Sequence, residues 1–313
     1  MKSLKHLQPT NWNIELNNVI YNAEINRKQP TAFIFMIDQS GSMSWQKQMY
    51  KGELSSYAEI VADMINNLLN ELVGRCTKQA GVRDYFDICV LGYGGQDGTG
   101  AFPIWEGNLK DKEWVSVSEL RDNAKYITKN VIKKIRGKTK TATIKEPYWF
   151  TPVGNYATPM GAAFSKAHEI LSKWVKAENH ENSYPPVVIN ITDGAQTDYS
   201  DDNLIESSKK VQALNTKDGH VLVLNCHISN EGSPTVFPYS SEDLPDENSY
   251  AHRLYEMSSV MPKPFDADIS KIRNDADTFS NYRGMAFNAN VDVIFNLIDI
   301  GTSGATQQLT SNK

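Results

Sequence analysis

The feature that most constrains the fold is an alternation of short apolar runs with longer amphipathic segments. Thr31–Ile37 is almost continuously apolar, as in a strand buried on both faces, and Gly52–Leu72 repeats apolar residues at helical spacing. Further strand-like runs lie at Tyr85–Tyr93, Val187–Ile191 and Val221–Ile228, and further helical segments at Gly161–Val175, Asp201–Leu214, Ser249–Val260 and Val291–Ile300. Crossovers of this length predict an α/β fold with three layers: a doubly wound, mostly parallel, Rossmann-like central sheet with helices on both faces.

Composition narrows the class of protein. The chain has 313 residues, 40% hydrophobic and 22% charged, which is typical of a globular protein with a substantial core. A net charge of −5 gives no reason to expect nucleic-acid binding. No run of 18 apolar residues is present, and Met1–Thr10 lacks the apolar core of a secretory signal. Cys76, Cys89 and Cys226 lack metal-ligand spacing, so we expect them to be reduced and the protein to be cytoplasmic. We also expect no membrane contact.

An acidic turn rich in hydroxyl groups follows the first strand. Asp38-Gln39-Ser40-Gly41-Ser42 comes directly after the apolar run. One carboxylate and two hydroxyls on a tight turn are oxygen donors, which suit a hard cation such as Mg2+. Because ligands of parallel α/β sheets bind at the carboxyl ends of strands, the turn lies where a site is expected.

Two more oxygen donors occur in loops that we expect at the same edge of the sheet. Thr158 lies in the loop that opens the helix Gly161–Val175, and Asp193 closely follows the strand Val187–Ile191. A metal held by the first turn needs such donors from neighbouring loops. The predicted metal ligands are Asp38, Ser40, Ser42, Thr158 and Asp193.

This set resembles the metal-ion-dependent adhesion site of von Willebrand factor A (VWA) domains, which is built from Asp-x-Ser-x-Ser, a distal Thr and a distal Asp. The match extends to Ser-Gly-Ser-Met at 40–43, Thr-Pro-Met-Gly at 158–161 and Thr-Asp-Gly at 192–194. Trp-Phe-Thr-Pro at 149–152 and Phe-Asn-Ala-Asn at 287–290 are similar to intracellular bacterial members, the tellurium-resistance-associated group in particular. The resemblance covers roughly residues 30–302 and implies the VWA form of the Rossmann-like fold.

The resemblance also implies a role for each residue. Ser40 and Ser42 would bind the metal directly, Thr158 directly or through water, and Asp38 and Asp193 mostly through water while orienting the hydroxyls. Neutral hydroxyl ligands leave much of the charge of Mg2+ (or Mn2+ or Ca2+) unquenched, so an open position attracts an Asp or Glu carboxylate of a partner protein. The implied function is non-catalytic, metal-dependent protein binding in a bacterial stress-response or regulatory complex, with a phosphatase, kinase or ATPase as partner.

Two other functions stay open at this point. The first is a metal-assisted phosphohydrolase, although no His or Lys is placed by motif as a general base and no phosphate-binding Gly-Lys-Ser/Thr loop exists. The second is a scaffold in which the metal is purely structural. We expect no enzyme activity.

Each predicted ligand also has a purely structural interpretation. Asp38, Ser40 and Ser42 are compatible with a capped turn, since Ser and Asp favour such positions. Thr158 is compatible with a helix cap and Asp193 with an ordinary turn before a glycine.

Residues next to the predicted ligands are open to interpretation as well. For Asp198, Asp201 and Asp202, helix capping and solvation are favoured over a second cation site. Met43 and Trp45 fit contact with a partner and packing on neighbouring loops equally well.

The alternation is interrupted at about 96–147, which we interpret as an insertion. Within it, Arg121–Lys140 carries eight Lys or Arg and one acidic residue, Asp122. A solvated helix face is the favoured interpretation, a docking surface for an acidic partner the alternative, and nucleic acid the weaker option because Tyr126 is a lone aromatic. The predicted organisation is an N-terminal extension at 1–29, the VWA-like domain at 30–302 and a disordered tail at 303–313.

Overall fold

A central sheet of eight strands organises the computed structural model, which describes residues 21–79, 81–135, 138–245, 249–275 and 279–311. Most of the expected N-terminal extension, residues 1–20, lies outside these ranges. The strands are β1 Thr31–Asp38, β2 Lys47–Tyr50, β3 Glu53–Ser56, β4 Thr77–Lys78, β5 Gly81–Val82, β6 Phe86–Tyr93, β7 Ala101–Pro103, β8 Val115–Ser116, β9 Lys125–Ile135, β10 Lys138–Tyr148, β11 Val187–Thr192, β12 Leu222–Ile228, β13 Thr235–Val236 and β14 Met285–Ala289. The helices are α1 Gly41–Trp45, α2 Tyr57–Cys76, α3 Val117–Asp122, α4 Met160–Trp174, α5 Asp201–Ala213, α6 Ser249–Met257, α7 Asp266–Arg273 and α8 Val291–Ser311.

The sheet is doubly wound and mostly parallel, as predicted. Its order is β13-β14-β12-β11-β1-β6-β7, with β8 also paired to β6. The strands from β14 to β6 are parallel, whereas β13, β7 and β8 join the edges antiparallel. Numbered by their order in the chain, the five parallel strands lie side by side in the order 2-1-3-4-5, from β6 through β1, β11 and β12 to β14. The direction of winding therefore reverses between β1 and β11. Ligand sites in such sheets lie at this reversal, beyond the carboxyl ends of the two strands.

Helices cover both faces because successive side chains of β1 point to opposite sides. Phe33, Phe35 and Ile37 pack into a core shared with α2 and α8, while Ile34 and Met36 pack into a second core shared with α4, α5 and α6. All eight residues of β1 are buried. Burying an Ile or Phe side chain stabilises the fold by about 1.5–3 kcal/mol, so β1 holds the two layers together and fixes the turn that follows it.

The segment before α2 differs from the expectation of a helix starting at Gly52. A tight hairpin, β2–β3, turns at Lys51 and Gly52, which have φ of 52° and 89°. The helix begins only after Ser56, whose side chain accepts from the Glu59 amide while the Glu59 carboxylate accepts from the Ser56 amide. This reciprocal cap sets the start of α2.

The basic part of the insertion is a β-hairpin, so the helical interpretation of 121–140 is wrong beyond α3. Strands β9 and β10 pair antiparallel along their whole length, from Lys125↔Tyr148 to Ile135↔Lys138. Threonine and β-branched residues recur through both strands and favour extended backbone. Near its root the hairpin is tied to α2, where the buried Asn66 accepts from the Trp149 amide and donates to the Phe150 carbonyl.

The end of the described chain is also helical. Helix α8 runs from Val291 to Ser311, whereas the sequence predicted a disordered tail at 303–313; residues 312 and 313 lie outside the described ranges. No proline interrupts this segment, and Gly301 and Gly304 disfavour a helix without excluding one. Among the described helices, none combines the length and the apolar character that a membrane span requires.

Candidate metal centre

Four of the five predicted metal ligands, Asp38, Ser40, Ser42 and Asp193, meet at the reversal of the sheet. Asp38 ends β1, and Asp193 follows its neighbour β11, so parallel pairing brings both carboxylates to one edge. The first turn leaves β1 and enters the short helix α1 at Gly41. The loop before α4 crosses the same edge, because the Gly41 amide donates to the Tyr156 carbonyl (3.2 Å). Three segments far apart in sequence therefore share one small region.

The turn after β1 uses its polar groups in a specific way. Asp38 Oδ1 accepts from the Ser40 amide at 2.8 Å, which folds the turn back over the end of the strand. Ser40 precedes α1, yet its side chain makes no capping hydrogen bond. Its hydroxyl instead lies 3.0 Å from the Ser42 hydroxyl. The capped-turn interpretation therefore does not account for the two serine side chains.

Asp193 makes a side-chain contact across the site. The Ser42 hydroxyl donates to Asp193 Oδ1 at 2.8 Å, across 151 positions of sequence. The second oxygen, Asp193 Oδ2, is buried and has no hydrogen-bond partner. Leaving a buried carboxylate oxygen unpaired costs free energy, and a bound cation would offset that cost.

Thr158 is buried and held by its backbone next to these loops. Its amide donates to the Thr197 hydroxyl at 3.0 Å, and its carbonyl accepts from the Thr197 amide at 2.9 Å. Gly94, at φ +92°, lets the loop approach the end of β6, since a Cβ there would lie 2.1 Å from the Ala157 carbonyl oxygen. The helix-cap interpretation does not hold, because α4 begins at Met160 without a side-chain cap from the loop.

Burial perturbs both carboxyl groups. Desolvation raises the pKa of Asp38 to about 7, the nearby Asp193 adds to this effect, and hydrogen bonds from Thr192 and Ser40 oppose it. Desolvation also raises the pKa of Asp193, although the Ser42 hydroxyl partly offsets it. Asp38 is fully buried and Asp193 is 7% exposed. Two neighbouring buried carboxyl groups are unfavourable when both are ionised, unless a cation compensates their charges.

The residues present fit a divalent cation. No ion pair of the described residues includes Asp38 or Asp193. Within the described ranges no three His, Cys, Asp or Glu side chains cluster as metal ligands, so hydroxyl groups would complete any set here. Oxygen donors of this mixed type suit Mg2+ or Mn2+. Ser42 is only half-buried, which leaves one side of the group open to solvent.

Several supporting residues were not found from the sequence. The Thr192 hydroxyl donates to Asp38 Oδ2 at 2.6 Å, and Asp198 accepts from the Gly161 and Ala162 amides at the start of α4. The first lies in the Thr-Asp-Gly triplet that flags Asp193, so that triplet was its signal. The capping interpretation of Asp198 is confirmed, and the helix that it caps is α4. The imidazole Nε2 of His227 lies 3.3 Å from the Asp193 carbonyl oxygen, a contact for which the sequence has no signal.

Met43 and Trp45, which follow the turn after β1, differ in their exposure to solvent. Met43 is completely buried and belongs to the core shared with α2. Trp45 is 80% exposed. The packing interpretation is therefore correct for Met43, whereas most of the Trp45 side chain faces solvent.

Comparison of the sequence with protein families and with curated proteins finds no match. Among solved structures, the chain is similar to an aerotolerance-related membrane protein from Bacteroides fragilis NCTC 9343 with multiple mutations to serines, at 11% identity and a TM-score of 0.37 over 90% of this chain and 99% of that chain. It is also similar to an uncharacterized membrane spanning protein from Vibrio fischeri, at 12% identity and a TM-score of 0.26 over 79% of this chain and 98% of that chain. Similarity at these values supports no inference about function.

Proposed function

We propose that this chain is a metal-dependent protein-binding module of the VWA type, which recognises an acidic side chain of a partner protein. One observation carries the proposal: Ser40, Ser42 and Asp193 converge from separate segments and leave the buried Asp193 Oδ2 without a partner. The sequence motif and the position at the winding reversal support the same assignment.

In this proposal each loop has a distinct task. The hydroxyls of Ser40 and Ser42 would hold Mg2+ or Mn2+, with Thr158 contributing from the third loop. Asp38 and Asp193 would supply compensating charge and orient the turn: Asp193 accepts from the Ser42 hydroxyl, and Asp38 accepts from the Ser40 amide. When bound, the cation would offer positive charge to an outside carboxylate on the side where Ser42 is open to solvent.

We propose binding rather than catalysis because the nearest imidazole does not fit the role of a general base. His227 is buried, which lowers its pKa to about 4. Its Nε2 faces the Asp193 carbonyl and its Nδ1 accepts from the Asn288 amide, so both nitrogens are engaged in the fold. A catalytic base needs a nitrogen within reach of the reacting group.

Metal binding is tested directly with Mn2+, detected by electron paramagnetic resonance. We expect Ser40→Ala and Asp193→Asn each to weaken Mn2+ binding by roughly ten- to a hundredfold. Ser44→Ala is the matched control, since that hydroxyl is in the same helix but donates to the Gly154 carbonyl. Equal Mn2+ affinity in all of these proteins would refute the metal site.

Partner binding is tested by capture from native cell extract in Mg2+ and again in EDTA. We expect a partner that is released on chelation and is not captured by Asp193→Asn. If the metal is only structural, chelation lowers Tm but leaves the captured partner in place. Steady hydrolysis of a generic phosphoester, lost in Asp38→Ala, would favour the phosphohydrolase instead.

A further inference from the structure

Two large aromatic side chains stand exposed beside the metal-site loops. Trp45 is 80% exposed and Tyr156 is 68% exposed. Among the described large apolar side chains, those at least 61% exposed are Trp45, Met49, Leu54, Tyr126 and Tyr156. Of these, Trp45 and Tyr156 lie in the two segments that contact the turn after β1.

Trp45 lies against the turn that carries the two serines. A Cβ built on Gly41 would meet Trp45 Cζ2 at 3.2 Å, so the six-membered ring of the indole packs on this glycine. Gly41 stands between Ser40 and Ser42. One edge of the indole therefore contacts the turn, while most of the ring faces solvent.

Tyr156 touches the same glycine from the other loop. Its carbonyl accepts from the Gly41 amide at 3.2 Å, and the adjacent Asn155 amide donates to the Gln39 carbonyl at 2.7 Å. Tyr156 has φ of +54°, a conformation that is unfavourable for a bulky residue. The hydrogen bonds across the two loops hold this conformation and with it the exposed phenol ring.

The hairpin that follows Trp45 in the chain carries two more exposed apolar side chains. Met49 on β2 is directly opposite Leu54 on β3, and the two side chains are 67% and 64% exposed. Because directly opposed side chains lie on one face of a hairpin, they form a single apolar pair. Trp45 and Tyr156, which both contact Gly41 of the turn, are called the apolar rim here.

We infer that the partner of this site is a peptide segment in which the metal-binding Asp or Glu is flanked by a bulky apolar residue, preferably aromatic. This inference rests on the proposed function and specifies its ligand. Charge complementarity places the carboxylate at the metal, and the apolar rim next to it offers flat rings to the neighbouring side chain. Aromatic contacts of this kind are where interfaces concentrate their binding energy.

The test uses short synthetic peptides with a central Asp, in which the adjacent residues are Trp, Phe, Leu or Ser. Binding is measured by fluorescence polarisation in Mg2+ and in EDTA. We expect peptides with an aromatic neighbour to bind roughly tenfold more tightly than those with Ser, in Mg2+ only. Replacing the central Asp with Asn should abolish binding of every peptide.

Variants of the rim separate its contribution from that of the metal. Trp45→Ala and Tyr156→Gly should each remove most of the aromatic preference, whereas Trp45→Phe should retain much of it; glycine at 156 tolerates the positive φ. Tyr126→Ala is the matched control, an equally exposed aromatic on β9. Mn2+ affinity is measured for each variant, so that loss of the ion is distinguished from loss of peptide contact.

The possible outcomes distinguish a failure of the inferred ligand from a failure of the proposed function. If Mn2+ binds but the acidic peptides bind without any preference for an apolar neighbour, or with one that survives Trp45→Ala, the apolar rim is not a docking surface and the metal-site proposal stands. If no peptide binds although Mn2+ does, the inference about the ligand is wrong. If Mn2+ does not bind at all, the proposed function fails and the inference fails with it.

Discussion

The edge around Asp38 and the root of the β9–β10 hairpin both contain buried or half-buried carboxylates, but they differ in what neutralises them. At the hairpin, burial alone would raise the pKa of Asp63, yet hydrogen bonds from Lys51, Tyr50 and Lys129 outweigh it and lower the pKa below its usual value. At Asp38, only hydroxyl and amide groups oppose desolvation, and the pKa rises to about 7.

The difference separates a structural acid from a candidate ligand-binding one. Asp63 has its cations supplied by the chain, so its charge is compensated by folding itself. Asp38 and Asp193 lack an ion pair within the described residues, and one oxygen of Asp193 has no partner. A buried acid of the first kind needs nothing further, whereas the second kind is stable in its charged form only with an outside cation.

The largest expected effect is the pH dependence of the metal-free protein. The folded-state pKa of Asp38, about 7, lies above its ordinary value of 3.8. Between these values the native protein binds a proton that the unfolded chain has lost, so stability falls as pH rises through this window and levels off above it. The difference between the two pKa values corresponds to roughly 4 kcal/mol of folding free energy. It is measured by comparing the pH dependence of urea unfolding in the wild type and in Asp38→Asn.

This prediction has a metal-dependent counterpart. Because Mg2+ compensates the ionised carboxylates, its stabilising effect on the wild type should grow as pH rises above about 4 toward about 7. Asp38→Asn should show little of that growth. A wild type whose stability in EDTA does not change with pH relative to Asp38→Asn would contradict the claim that Asp38 lacks a compensating cation.

A smaller effect is expected at the acid that the chain neutralises by itself. Asp63→Ala removes the acceptor of the Tyr50 hydroxyl and of Lys51, and one of the two acceptors of Lys129, which we expect to cost about 1–3 kcal/mol. The loss should appear in thermal and urea unfolding. Mn2+ affinity should not change, because Asp63 lies on α2 at the hairpin root; a parallel loss of Mn2+ binding would break the distinction between the two regions.

Part of the fold was predictable from the sequence, and part was not. The parallel strands and main helices were predictable because each shows one clear period, such as the uninterrupted apolar run of β1. The β2–β3 hairpin was missed although Ser56 and Glu59 carry a capping-box pattern that marks the later start of α2. In the basic segment the lysines drew attention to charge, while recurring Thr and β-branched residues carried the strand signal.

For the candidate site, sequence order and strand ends predicted which residues would meet. Parallel pairing of β1 with β11 follows from the winding, and it alone brings Asp38 and Asp193 to one edge. The contacts of Thr197 and His227 were not predictable, since they depend on how loops pack rather than on any period. The strained φ of Tyr156 is likewise a property of loop packing and has no signature in the surrounding residues.

The smallest expected effect is at the ion pair on the hairpin. Lys129 lies 3.0 Å from Asp63 and 2.6 Å from Glu146, but its side chain is 39% exposed. Solvent and salt screen such a pair, so Lys129→Met, which keeps the apolar stem, should cost less than about 1 kcal/mol. A double-mutant cycle with Glu146→Gln in low and high salt measures the coupling. A coupling well above that value, or one insensitive to salt, would mean that the hairpin root excludes water as the Asp38 edge does.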